Sequence, residues 1–193
     1  MRLTAADVIA ATGAVPGPGH AALAGFTAVA TDSRAAVDGT LFVALRGERF
    51  DAHDFVPQAL QAGAVAALVE RPLATVERDR LLVVDDTLRA LGALAAWARR
   101  RCPMRVVAIT GSNGKTTTKE MVAAICTAAY APHGKVLKTE GNLNNLIGLP
   151  LTLLRADGDE VVGVLEMGMN QPGEIARMAE IARPDVAVVT NVG

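Results

Sequence analysis

Aromatic side chains are scarce in this sequence: among 193 residues there are one Trp, one Tyr and four Phe. A single-strand nucleic-acid binder stacks bases on aromatic faces, so most of the platforms for that function are missing. Basic charge is not in excess either. With 19 Lys and Arg against 20 Asp and Glu the formal net charge is -1, whereas nonspecific binding to a phosphate polymer requires a surplus of cations. No nucleic-acid partner is expected, and the anion bound should be small. Cysteine is limited to Cys102 and Cys126; they fall at no metal-ligand spacing and read as free thiols in a reducing cytoplasm. Nor does the N-terminus carry a long apolar run. MRLTAADVIAATG is interrupted by Asp7 and reads as a short amphipathic helix, so neither export nor membrane anchoring is expected.

What is present is the composition of a soluble globular protein, 51% hydrophobic and 20% charged, rich in Ala, Val and Leu. At roughly 100 to 200 residues per domain the length allows one domain or two small ones. Local patterns favour two. A helix is expected over residues 4–12, followed by a loop over 13–25 where Pro16, Pro18 and several glycines cluster. Strands are expected at 26–30, 40–45, 66–69 and 81–84, with a helix at 54–62 capped by Asp54. These alternate strand and helix and form a first small α/β unit, residues 1–84. A helix capped by Asp86 or Thr87 and ending in Arg99, Arg100 and Arg101 opens the second, residues 85–193; basic side chains suit the carbonyl end of a helix.

The second unit reads as strand 106–110, helix 115–129, strand 161–167, helix 174–182 and strand 186–190. Nearly continuous apolar strands imply a parallel sheet covered on both faces, with ligands at the carboxyl ends of the strands. One such end carries Thr110-Gly111-Ser112-Asn113-Gly114-Lys115-Thr116-Thr117. An apolar strand leads into it and a helix leaves it, the setting in which backbone N–H groups converge on phosphate. Gly111 and Gly114 allow the backbone to turn and approach oxygen atoms closely. Lys115 supplies a cation for the β and γ phosphates of ATP, and the Thr116 hydroxyl is a ligand for Mg²⁺. Only two residues separate Gly111 from Gly114, against four in the common phosphate loop, so this is a shortened variant.

Glu166 ends an otherwise apolar strand, where an unpaired carboxylate would cost several kcal/mol. Either a salt bridge or a shared Mg²⁺ with Thr116 would resolve that cost. Asn142, Asn144 and Asn145 lie beside glycines at a strand-to-helix transition, and read equally as turn and cap residues or as part of a site. In the first unit, polar groups gather in Thr31-Asp32-Ser33-Arg34 and in Arg46-Gly47-Glu48-Arg49-Phe50-Asp51-Ala52-His53-Asp54; an Arg with a Ser and backbone N–H groups can hold a diphosphate, and a solvated loop is the alternative. His53 reads as a surface or capping histidine, since no nucleophile pattern accompanies it.

Taken together, TDSR at Asp32, LFVALRGERFDAHDF from Leu41, TGSNGKTTTKE from Thr110 and the closing TNVG resemble the Mur ligase family of ATP-dependent amide-forming enzymes of peptidoglycan synthesis. TEGNLNNLIGLPLTLL from Thr139 and LEMGMNQPGEI from Leu165 resemble the branch that adds D-alanyl-D-alanine to UDP-N-acetylmuramoyl-tripeptide. The alternatives are the branch that adds the third amino acid, a folylpolyglutamate synthase, and a non-catalytic nucleotide-binding module.

The resemblance implies an α/β protein with a small N-terminal UDP-binding domain, contacted through Ser33, Arg34, Arg46 and Gly47, and a partial phosphate-loop ATPase domain with a parallel sheet. It further implies that Gly111, Ser112, Asn113, Gly114, Lys115, Thr116 and Thr117 bind ATP, that Lys115 is catalytic at the transferred phosphoryl group, and that Thr116 and Glu166 serve Mg²⁺. The partners implied are UDP-N-acetylmuramoyl-tripeptide and D-alanyl-D-alanine, the protein being a cytoplasmic monomer. Family members continue beyond TNVG into a histidine-bearing loop, a modified lysine and a C-terminal domain, so the sequence reads as truncated and the chain as inactive or nearly so.

Overall fold

A computed structural model describes residues 2–23, 25–47 and 50–192. Glu48 and Arg49 of the second polar cluster, and Gly193 of the closing motif, lie outside the described residues. The chain divides into two compact units, Met1–Leu94 and Ala95–Gly193.

The first unit begins with α1, Ala5–Thr12. Thr4 closes a capping box with Asp7, each side chain taking the other's backbone N–H, and Gly13 in the left-handed conformation ends the helix. The strands are β1 (Val15–Pro16), β2 (Ala28–Ala30), β3 (Thr40–Val43), β4 (Ala66–Val69) and β5 (Leu81–Val83), with α2 (Val56–Gln61) between β3 and β4. They form one sheet in the order β1-β5-β4-β3-β2. β2 to β5 pair in parallel, and β1 lies antiparallel to β5. The segment expected to be loop over 13–25 therefore contributes an edge strand; at two residues it is too short for any alternation of side chains to show.

Every residue of β3 and β4 is buried, as a parallel strand with both faces covered requires. Phe42, Val56, Ala59, Ala67 and Leu81 form the core between the sheet and α2. The helix expected to start at Asp54 starts two residues later. Asp51, not Asp54, is the capping carboxylate: it accepts the His53 N–H at the head of a 3-10 turn, Ala52–Phe55, that runs into α2. Had Asp54 capped the helix, Pro57 would occupy the third helical position, where a cap needs an N–H that proline lacks.

α3, Thr87–Arg101, contains the division between the units. Its boundary falls after Leu94 rather than near residue 84, because the first turn is anchored within the first unit. The buried Thr87 hydroxyl lies 2.9 Å from Ala44 O and 3.0 Å from Glu70 Oε1. Near the other end, Arg99 donates to Ala182 O at 2.8 Å within the second unit, and Arg101 stacks over the Trp97 ring.

The second unit holds β6 (Arg105–Thr110), α4 (Lys115–Tyr130), β7 (Lys135–Lys138), α5 (Gly148–Leu154), β8 (Glu160–Glu166), α6 (Glu174–Ala182) and β9 (Val186–Val189). All pairings are parallel, in the order β7-β8-β6-β9. Ile109, Val162 and Val164 pack with Ala123 of α4. β8 is almost wholly buried, whereas Val186 and Val189 of the edge strand β9 are 54% and 58% exposed. The expectation of a sheet covered on both faces therefore fits its centre and not this edge.

Candidate functional site

β6 stops at Thr110, and α4 begins at Lys115 after the four residues 111–114. Gly111 has φ of 138° and Gly114, the residue before the helix, has φ of 78°, both values that favour glycine. Gly114 offers no side-chain cap, and the first helical backbone bond runs from Thr118 N to Gly114 O. The N–H groups of the opening turn are thus left without helical acceptors, at the positive end of the helix. Over this loop lies the Lys115 ammonium, which donates to Gly111 O at 2.8 Å and Ser112 O at 3.3 Å.

A second segment clasps the loop from the end of β9. Ser112 N donates to Asn191 O at 3.0 Å, and the Ser112 hydroxyl lies 3.0 Å from Asn191 Oδ1. Thr190 Oγ1 donates to Asn113 O at 2.5 Å. A Cβ on Gly111 would stand 2.3 Å from Thr190 Oγ1 and 2.9 Å from both N and O of Asn191. Nothing about Thr190 and Asn191 beyond their place in the closing motif marks them in the sequence, because the clasp is purely tertiary.

Glu166 sits opposite Ile109 in the β6–β8 register and is 2% exposed. Its Oε2 accepts the Thr116 hydroxyl at 2.9 Å and its Oε1 accepts Asn144 Nδ2 at 2.8 Å. Among the described residues no Lys or Arg forms an ion pair with it, so the salt-bridge alternative does not apply. The parallel sheet brings Thr116, Asn144 and Glu166 together from three parts of the chain. Asn144 O also accepts Gly168 N at 2.7 Å, which ties the asparagine loop to the end of β8.

The three asparagines separate into distinct roles. Asn145 Oδ1 accepts Ile147 N at 3.0 Å and Gly148 N at 2.8 Å at the entry to α5, as a helix cap does. Asn144 belongs to the Glu166 cluster, and the Asn142 side chain is exposed. Beside them Glu140 and Arg155 form two parallel bonds of 2.7 and 2.8 Å, and this pairing lowers the Glu140 pKa and raises that of Arg155.

In the first unit a cleft of about 410 Å³ is lined by Thr31, Asp32, Ser33, Arg34, Phe50 and Phe55, with Phe42, Ala52 and Gln58. The Phe50 and Phe55 rings stack at 5.1 Å. Asp32 receives the Arg34 backbone N–H and its guanidinium, and the Arg34 hydrogen bonds hold its carboxyl at about 2. Ser33 and Arg34 are at this cleft. Arg46 and Gly47 are exposed and not among its walls; Arg46 pairs with Asp51 in an isolated antiparallel backbone β-bridge, and Gly47 N donates to Phe50 O at 2.8 Å.

His53 is buried rather than at the surface. Its Nε2 accepts Glu70 N at 2.8 Å, so Nδ1 carries the proton and donates to Asp51 Oδ1 at 2.6 Å. The reason for burial is this pair of bonds, which satisfies both ring nitrogens of a neutral imidazole.

Two family models match the chain: "Mur ligase family, catalytic domain" over residues 25–99 and "Mur ligase middle domain" over 109–193. The UDP-N-acetylmuramoyl-tripeptide--D-alanyl-D-alanine ligase of Escherichia coli (strain K12) is 52% identical over 165 residues, 86% of this chain and 35% of that protein. A crystal structure of MurF from Acinetobacter baumannii superposes with a TM-score of 0.87 at 40% identity, covering 100% of this chain and 42% of its own. The MurF ligase of Thermotoga maritima, solved in complex with ADP, gives 0.74 at 42% identity over 86% of this chain and 38% of its own. The chain thus spans about a third of the length of the curated relatives it matches. With family matches on both units and a neighbour that superposes over the whole of this chain, the chain belongs to the Mur ligase family.

Proposed function

We propose that this chain supplies the ATP-binding and UDP-binding parts of a cytoplasmic, monomeric ligase that joins D-alanyl-D-alanine to UDP-N-acetylmuramoyl-tripeptide. The observation that carries the reading is the loop at Gly111–Lys115 set beside the buried Thr116–Glu166 pair. It joins phosphate-binding geometry to a carboxylate with no cationic partner among the described residues. The 52% identity to a ligase of that name supports the substrate pair. No helix among the described residues is long and apolar enough to cross a membrane.

In this reading the open N–H groups of α4 and the loop bind the β and γ phosphates of ATP, and Lys115 exchanges its two carbonyl partners for phosphate oxygens. Thr117, further along the first turn, lies at the same helix end, and Ser112 and Asn113 shape the loop through the Thr190–Asn191 clasp. Thr116 and Glu166 offer a hydroxyl and a carboxylate, hard oxygens that would hold Mg²⁺. When bound, Mg²⁺ would neutralise charge on the phosphates. Asn144 orients the Glu166 carboxylate. The tripeptide carboxylate attacks the γ-phosphorus and expels ADP to give an acyl phosphate, and the amine of D-alanyl-D-alanine then attacks the acyl carbon, losing a proton and expelling inorganic phosphate to form the amide. Catalysis is by positioning and charge neutralisation and needs no protein nucleophile. The cleft of the first unit receives the UDP part, with Arg34 and Ser33 toward the diphosphate and the Phe50–Phe55 pair as the apolar wall.

Calorimetry on the chain tests both halves. Mg·ADP should bind the native chain, and Lys115→Ala should weaken it by about tenfold or more, the scale of a lost charge-assisted contact to phosphate, while the Trp97 fluorescence melt stays in place. UDP-N-acetylmuramoyl-tripeptide should bind more tightly than its dipeptide counterpart. Equal ADP binding by Lys115→Ala would remove the phosphate-loop assignment, and preference for the dipeptide would move the chain to the branch that adds the third amino acid.

A further inference from the structure

Lys119 and Thr139 are polar, fully buried and outside the loop and its Thr116–Glu166 pair. Lys119 is 1% exposed and Thr139 0%. Lys119 lies on α4 one turn beyond Lys115, and its Nζ donates to Thr139 O at 2.9 Å and pairs with Glu120 Oε1 at 2.8 Å. An ammonium this deep is costly unless paired, and an aliphatic side chain would fill the same space without that cost. Its partner is therefore informative.

Thr139 is held at three points. Its N–H donates to Val164 O at 3.1 Å, its carbonyl accepts Lys119, and its hydroxyl oxygen accepts Glu166 N at 2.9 Å. That last bond fixes the backbone of Glu166 where β7 has ended at Lys138 and can no longer supply a ladder partner. Thr139 also opens the segment that leads to Asn144, which holds the Glu166 carboxylate from the other side. The main chain and the side chain of Glu166 are thus both referred to one anchored residue, and Lys119 is the anchor.

We propose that Lys119 and Thr139 are positioning residues that set the Glu166 carboxylate against Thr116, and so set the affinity for the divalent cation that accompanies the nucleotide. This rests on the reading of Glu166 as metal-facing. Partners one step removed from a metal ligand typically change metal affinity by about 10- to 100-fold when lost. A purely structural role would lower nucleotide affinity equally with and without metal; a positioning role lowers only the increment that metal adds.

The test is ADP binding to the full chain by calorimetry, in Mg²⁺ and in EDTA, for the native protein, Lys119→Met, Thr139→Val and Thr139→Ser. Lys119→Met and Thr139→Val should each cut the Mg²⁺-dependent strengthening by about tenfold or more and leave metal-free ADP affinity unchanged, while Thr139→Ser, which keeps the hydroxyl, should retain most of the increment. A Trp97 fluorescence melt checks folding; if Lys119→Met does not fold, the variants at 139 decide the matter, since Thr139→Val removes the hydroxyl at nearly constant size and Thr139→Ser keeps it. Equal losses in both buffers, or an increment that survives Thr139→Val, would overturn the relay alone. A native chain whose ADP affinity is the same in both buffers would overturn the metal reading of Glu166, and the relay with it.

Discussion

Gly111→Ala should destabilise the second unit severely, and Gly114→Ala should not. At Gly111 an added Cβ meets Thr190 Oγ1 at 2.3 Å, which a rotamer change can relieve, and Asn191 N and O at 2.9 Å, which it cannot, because those are backbone. The φ of 138° adds strain for any L side chain. Forced overlap in a packed site costs about 1–3 kcal/mol and a sparsely populated backbone conformation about 1–3 kcal/mol, so the sum is about 2–6 kcal/mol. At Gly114 the nearest atom to an added Cβ is Thr190 Cβ at 3.9 Å, leaving only the left-handed backbone cost of about 1–2 kcal/mol. Trp97 is the sole tryptophan of the sequence, lies in the second unit and is 8% exposed, so its fluorescence follows unfolding of that unit. With a urea slope of about 1–3 kcal/mol/M, a loss of about 3 kcal/mol lowers the midpoint by about 1 M or more. A Gly111→Ala midpoint no lower than that of Gly114→Ala would refute the clasp as the reason for glycine at this position.

Two further outcomes concern the first unit. Asp51 is pushed up by burial, but the His53 backbone N–H, the His53 ring and Arg71 outweigh this and hold its carboxyl at about 2, against an ordinary value of 3.8. A carboxyl with a lowered folded pKa stabilises fully above its unfolded value and ceases to do so as pH falls from 3.8 through 2. Protection of the Glu70 amide, whose N–H is bonded to His53, against exchange relative to its intrinsic rate should therefore fall over that window, and Asp51→Asn should flatten the dependence; an unchanged profile in the variant would assign the loss elsewhere. Arg34→Ala should leave the melting of the unit unchanged, because its pair with Asp32 is solvent-exposed, but should weaken calorimetric binding of UDP. Unaltered UDP binding would remove Arg34 from the cleft's ligand set.

Much of this arrangement was legible from the amino-acid order. The apolar run at 106–110, the two glycines, Lys115 and the long helix behind them locate β6, the loop and α4 with little error, because local backbone demands and hydrophobic pattern agree there. Glu166 stood out for a local reason too, as a charge closing an apolar strand. The elements that escaped depend on distant partners. β1 is only a pair of residues recruited by the edge of β5, and the helix cap moved from Asp54 to Asp51 because Pro57 removes an N–H three residues on. His53 is buried because Asp51 and Glu70 N satisfy both nitrogens, and no spacing announces a partner 17 residues away. The same holds for Lys119, whose carbonyl acceptor is 20 residues further along the chain. The asparagine cluster lay between these cases: Asn145 as a helix cap is a local matter, while the part played by Asn144 depends on β8.

The clasp on the loop also has a consequence for the order of events during synthesis. Ser112 and its partner Asn191 are 79 positions apart, so a ribosome makes the loop well before the residues that hold it. Until the end of β9 has emerged and paired with β6, Ser112 N and the carbonyl of Asn113 lack the acceptor and donor that shape the turn. Contacts this distant in sequence form late, since the intervening chain must first be ordered. The nucleotide affinity proposed for the loop is then a property acquired by a nascent chain at one late step, and stalled chains ending before residue 190 should pass through an ADP column while the released chain of 193 residues is retained.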